Sequence, residues 1–153
     1  MKYYSTVKIN GHIPLLRSIT GELLYLVEGQ EKAALIDTCL GVGHLRSLVE
    51  KLTDKELLVL LTQGHIDHAL GAPEFDRGYM IHKDLGLYQA QCPLPERKGY
   101  MQMGLAPEVF AGIEEKDFVP PTPDYQFLPL EDGMIFDLGG LTIEAIAYPG
   151  HTK

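Results

Sequence analysis

Leu60-Leu61-Thr62-Gln63-Gly64-His65-Ile66-Asp67-His68-Ala69-Leu70-Gly71 decides how this chain is read. The apolar run from Glu56 to Leu61 suits a central strand covered on both faces. It ends in a short loop that carries two histidines and an aspartate. Imidazole and carboxylate are ligands for zinc and similar divalent ions, so His65, Asp67 and His68 are candidate metal ligands. Asp67 lies two residues beyond His65, and the adjacent His68 cannot easily share its direction. The pattern therefore suits two neighbouring metal positions, His65 at one and Asp67 with His68 at the other. Two ions about 3.5–4 Å apart can hold and activate a water and polarise a scissile group. Taken alone, His-x-Asp-His also fits a helix cap beside a surface histidine. Its place just past the carboxyl end of a strand favours function, and so does a second cluster. Pro149-Gly150-His151-Thr152 closes another strand, where a stiff Pro-Gly turn can present His151 to the same cleft. His12, His44 and His82 lack such neighbours and read as surface or packing residues.

Working outward, Tyr3 to Ile9 is strand-like, and Leu23–Val27 and Ala33–Ile36 flank Gly29-Gln30-Glu31 as a hairpin. Val42, Leu45, Leu48, Val49 and Leu52 recur at helical spacing, which predicts an amphipathic helix on the sheet. Gly78–Ile81 reads as a short strand and Lys83–Gln91 as a helix. Cys92 to Tyr125 is proline-rich and is expected to be irregular, with one short helix from Pro107 to Glu115. Within it Tyr100, Met101 and Met103 are candidate substrate-wall residues, since a long insertion near a site is often a wall or lid. From Gln126 the pattern is β again, with clear alternation from Leu141 to Tyr148.

The 153 residues are one domain's worth of chain, 45% hydrophobic and 22% charged, with a net charge of -8. No basic run is present, so no nucleic-acid partner is expected. No apolar run approaches the roughly 20 residues of a membrane span. The N-terminus lacks the apolar segment of a secretory signal, and the expected location is the cytoplasm. Cys39 and Cys92 form no paired framework and read as reduced thiols.

With these residues in hand, the chain resembles the metallo-β-lactamase superfamily. That family's signature is Thr-His-x-His-x-Asp-His, and here it is Thr62-Gln63-Gly64-His65-Ile66-Asp67-His68. Leu35-Ile36-Asp37-Thr38 and Pro149-Gly150-His151-Thr152 match its flanking motifs in order. The resemblance implies an α/β fold, the αββα sandwich, with metals at one edge. It implies His65 and His151 at the first metal and Asp67 and His68 at the second. Asp67 is also implied to orient the attacking water as the catalytic residue. Asp37 and Thr62 are implied to support the metal loop. The implied cofactor is one or two zinc ions, with iron or manganese as alternatives. The implied reaction is hydrolysis of an ester, thioester, lactone, amide or phosphoester of a small-molecule substrate.

Two departures from the family pattern matter. Gln63 replaces the first histidine, and a carboxamide is a weaker ligand for zinc, although some members carry glutamine there. The pattern also continues with a further strand, an aspartate and a last histidine, for which these 153 residues offer no match. The expectation is a single, incomplete domain spanning residues 1–153, the N-terminal half to two thirds of the fold. A second copy of the chain is then a candidate cover for the surface left open. These departures keep alive a non-catalytic binding or scaffold module on the same fold, which zinc titration separates from an enzyme. A di-iron oxidoreductase is a third reading, and bound iron would distinguish it.

Overall fold

The computed structural model describes residues 1–10 and 13–148, with only the backbone of residues 8–10. His12 and the whole Pro149–Thr152 motif, including His151, lie outside the described residues. Strands β1 (Tyr4–Asn10), β2 (Ile13–Ser18), β3 (Leu23–Glu28) and β4 (Lys32–Ile36) form an antiparallel meander. The chain then passes through α1 (Leu45–Leu52) and returns as β5 (Glu56–Leu60), parallel to β4 with Val59 opposite Leu35. β6 (Gly78–Met80) adds in parallel beside β5. Three helices follow, α2 (Leu85–Gln91), α3 (Leu94–Gly104) and α4 (Pro107–Ala111), before β7 (Leu128–Pro129) closes a sheet ordered β1 to β7. β8 (Ile135–Asp137) and β9 (Thr142–Glu144) pair antiparallel as a second sheet, with Phe136 opposite Ile143.

Period-two alternation explains the layering. On β4 and β5, Leu35 and Val59 turn to a helical face, where they join Leu45 and Val49 of α1, Tyr88 of α2 and Met101 of α3 in one core. Ala34, Leu58 and Leu60 turn the other way, onto Phe136 and Leu138 of the second sheet. Central strands with two covered faces carry no polar side, which is why their sequence reads as an apolar run. Helices, large sheet and second sheet make three layers of an αββα arrangement. Beyond β9 the second sheet leaves Ile146 74% and Tyr148 94% exposed.

Two elements are additional to the sequence expectation. β2 was not expected, because Ile13-Pro14-Leu15-Leu16 has no alternation and a proline. Its ladder with β3 runs over Leu15–Arg17 only, so Pro14 removes no hydrogen bond there. The proline-rich stretch after Cys92 also holds α3, an 11-residue helix. Pro95 lies in its first turn, where the missing N–H would have no intrahelical partner. Arg97, on the same helix, is 1% exposed. Its guanidinium donates to the carbonyls of Cys92 (3.1 Å), Leu40 (3.3 Å), Gly41 (3.4 Å) and Val119 (2.7 Å) and stacks over Phe118. Burial pulls its pKa down from the usual arginine value, but an arginine keeps its charge in proteins. Arg97 therefore ties α3 to the loop that follows β4.

The helix predicted from Val42 begins only at Leu45. Gly41, Gly43 and His44 have φ of 74°, 87° and 58°, outside the helical region. Val42 instead bridges to Phe118. His44 caps no amide with its side chain, and its left-handed backbone costs an L-residue roughly 1–2 kcal/mol. His44→Gly is expected to stabilise the protein by up to about 1 kcal/mol, the strain relieved less the extra unfolded-state freedom of glycine, read as a higher urea midpoint at unchanged m-value. A lower midpoint would mean that the 3.9 Å contact of His44 with Asp117 outweighs the strain. Cys39 and Cys92 are buried and free. No helix among the described residues is long and apolar enough to cross a membrane.

Candidate metal centre

Because β4 and β5 are parallel neighbours, their carboxyl ends lie side by side. Asp37 follows one and Thr62 the other, and Asp37 N donates to Leu60 O at 2.9 Å. Asp37 has a φ of 70° and is 6% exposed. Its carboxylate accepts from the Thr62 amide (2.8 Å), the Thr62 hydroxyl (2.8 Å) and His68 Nδ1 (2.8 Å). Thr38 clamps the far side of the loop, since its amide and hydroxyl both donate to His68 O, at 2.7 and 2.9 Å. The Thr38 hydroxyl also accepts from Gly71 N at 3.2 Å, and a Cβ on Gly71 would lie 2.5 Å from Thr38 O. Gly71 is thus a close-approach glycine.

Between these anchors the loop makes one helical turn. His68 N and Ala69 N both donate to His65 O, at 3.0 and 3.1 Å. An i, i+3 spacing puts His65 and His68 on one side of such a turn. Gln63 lies between the two rings. Its carboxamide oxygen accepts from His65 Nδ1, and its amide nitrogen donates to His68 Nε2 at 3.1 Å. His68 Nε2 is also 3.5 Å from Asp67 Oδ2. Burial pulls the His68 pKa down, but the hydrogen bond and charge of Asp37, with Asp67 and Glu22, outweigh it and raise the pKa overall.

Does this donor set fit a cation? With its Nδ1 hydrogen fixed on Asp37, His68 aims its Nε2 lone pair towards Asp67. Two ligands about 2.1 Å from a tetrahedral ion lie roughly 3.4 Å apart, close to the observed 3.5 Å. Asp67 and His68 thus fit one shared ion. Among the described residues, no three His, Cys, Asp or Glu side chains converge on one point.

Two supports escaped the sequence reading. Asp84, buried at the start of α2, accepts from Gly64 N at 2.9 Å, and a Cβ on Gly64 would lie 2.7 Å from Asp84 O. Thr38 enters the sequence pattern only as the last residue of the Leu35-Ile36-Asp37-Thr38 motif. Neither carries a local signal, because each acts across the fold on a backbone group. Of the three wall candidates, Tyr100 donates to Glu22 Oε1 at 2.9 Å, and Ser18 and Thr20 donate to the other oxygen of that carboxylate. Met101 is fully buried in the core, and Met103 is 83% exposed. A cavity of about 250 Å³ opens beside Thr62, walled by Ile81, Lys83, Asp84 and the chain after β9.

The fold and the loop chemistry agree with what the chain is similar to. The family model described as metallo-beta-lactamase superfamily matches residues 21–153. An atrochrysone carboxyl ACP thioesterase of Aspergillus novofumigatus is 29% identical over 150 residues, which are 95% of this chain and 37% of that protein. A ribonuclease Z of Bradyrhizobium diazoefficiens is 31% identical over 121 residues, 78% of this chain and 37% of that protein. Among solved structures, MEM-A1, a subclass B3 metallo-beta-lactamase from a soil metagenome library, superposes with a TM-score of 0.61 at 21% identity. That match covers 97% of this chain and 54% of MEM-A1. BJP-1, a subclass B3 metallo-beta-lactamase of Bradyrhizobium japonicum, gives a TM-score of 0.60 at 20% identity, covering 96% of this chain and 53% of its own. The chain thus spans 37% of the curated relatives named here and about half of the solved structures. These relatives bear the names of hydrolases, and the chain belongs to the metallo-β-lactamase superfamily.

Proposed function

We propose that the chain is the metal-holding part of a hydrolase that adds water to an ester, thioester, lactone, amide or phosphoester. One observation carries this reading: His68 is fixed through Nδ1 on the buried Asp37, with Nε2 3.5 Å from Asp67. A ligating histidine whose other nitrogen is held by a carboxylate is the usual arrangement in metal sites. Asp67 and His68 would hold one ion, and His65 with His151 would serve a second. Zinc is the proposed ion, with iron or manganese as alternatives. A bound divalent cation supplies Lewis acidity and makes water nucleophilic at neutral pH. The protein's share is positional. Asp37 keeps the His68 ring in one tautomer, and Thr38 and Asp84 hold the loop backbone. Asp67, whose side chain is 31% exposed, would accept a proton from water at the loop. A net charge of -8 over these residues disfavours a nucleic-acid substrate.

The reading is tested on the complete natural protein, by metal analysis together with a panel of aryl esters, thioesters, lactones and a phosphodiester. Bound metal and turnover of at least one substrate class are expected. Protein that takes up no metal and hydrolyses nothing would instead be a scaffold module on this fold. Asp37→Ala is expected to lower zinc affinity by about 10- to 100-fold, the usual effect of removing a carboxylate behind a ligating histidine. Competition with a chromophoric chelator measures it, and unchanged affinity would remove Asp37 from the site.

A further inference from the structure

Position 63 is where the chain departs from its family's pattern, and the side chain there does something specific. Three hydrogen bonds run in series through the loop. His65 Nδ1 donates to the Gln63 carboxamide oxygen, the Gln63 amide donates to His68 Nε2, and His68 Nδ1 donates to Asp37. Each of these three N–H donors meets one acceptor. The series uses the one lone pair on His68 that points towards Asp67. That lone pair cannot accept an N–H and ligate a cation at the same time. The Gln63 oxygen is engaged by His65, and the amide nitrogen has no lone pair to offer a metal. Ligation by Gln63 would require the carboxamide to turn over and break both of its bonds.

We propose that Gln63 is a gate and not a ligand: its carboxamide bridges His65 and His68, and a cation reaches the Asp67–His68 pair only when that bridge swings away. The inference rests on the metal reading above and assigns that site a regulator. It also gives the substitution at position 63 a definite sign. A gate competes with the cation, so deleting it strengthens binding. A ligand assists the cation, so deleting it weakens binding. One hydrogen bond is worth about 0.5–1.5 kcal/mol net, which converts to roughly a two- to tenfold change in affinity.

The test is zinc titration of the complete natural protein and its Gln63→Ala variant, in competition with a chromophoric chelator. Gln63→Ala is expected to bind zinc about two- to tenfold more tightly. Equal or weaker binding would overturn the gate. A second readout follows the bridge itself by NMR on chelator-treated protein. The Gln63 side-chain amide protons are expected to be protected from exchange, and both His65 and His68 to carry their proton on Nδ1. Saturating zinc is expected to abolish the amide protection. Amide protons that stay protected in the zinc-saturated protein would also overturn the gate. Failure of both proteins to bind zinc would overturn the metal reading and the gate together, whereas binding of equal strength removes the gate alone.

Discussion

Asp67→Ala in the complete protein is expected to lower kcat/KM by about 10²–10⁴-fold, the range for losing a positioned proton acceptor. The loss is expected to be chemical, not structural. Asp67 lies on the turn between His65 and Ala69, with a side chain that is 31% exposed and outside the hydrophobic core. The variant should therefore melt within a few degrees of the parent. Asp67→Asn sharpens the test, because it keeps the shape and removes the charge and the basicity. Its rate should fall almost as far as that of the alanine variant. Metal content then separates two roles. A rate that falls at full metal occupancy makes Asp67 a handler of the attacking water, and a joint fall makes it a ligand as well. An alanine variant that keeps more than a tenth of the parent rate would remove Asp67 from the chemistry.

The second large effect concerns a residue far from any proton transfer. Arg97→Ala is expected to destabilise the protein by at least about 3 kcal/mol, because it takes this donor from the carbonyls of Cys92, Leu40 and Val119, leaves Gly41 O only the Val119 amide, and opens a cavity. For a chain of this size that corresponds to a drop in Tm of roughly 6–12 °C. Arg97→Met separates the two causes, since it refills the volume without restoring a donor. If the hydrogen bonds dominate, the methionine variant loses most of the same stability. If packing dominates, it recovers most of it. A variant that melts within about 2 °C of the parent, less than 1 kcal/mol, would mean that the charged group's desolvation cancels its bonds.

Much of the fold was legible because it is local. The β3–β4 hairpin, the core face of α1 and the double-sided burial of β5 each follow from spacing and turn residues. What was not legible depends on partners distant in sequence. β2 is a strand because β1 and β3 flank it, and not through any alternation of its own. α3 forms despite Pro95, because that proline falls in its first turn and Arg97 and Met101 anchor it in the core. At the site, the candidate ligand types were readable from His65 to His68, and the Asp37 support was readable by resemblance. The bridge made by Gln63, and the grips of Thr38 and Asp84, depend on how the loop is folded back, which no residue spacing encodes.

The left-handed backbone of Asp37 sets how freely the centre can diverge. The position makes two demands at once, a φ of 70° and a carboxylate reaching both Thr62 and His68. Asparagine tolerates the backbone but lacks the charge. Glycine suits the backbone and offers no side chain at all. Glutamate keeps the charge with a longer reach and a poorer backbone fit. No single replacement meets both demands. Position 63 makes neither demand, and it can exchange one polar side chain for another while the loop keeps its shape. Adaptive change in such a centre is therefore easiest at position 63, and the buried acid behind the loop is the fixed point.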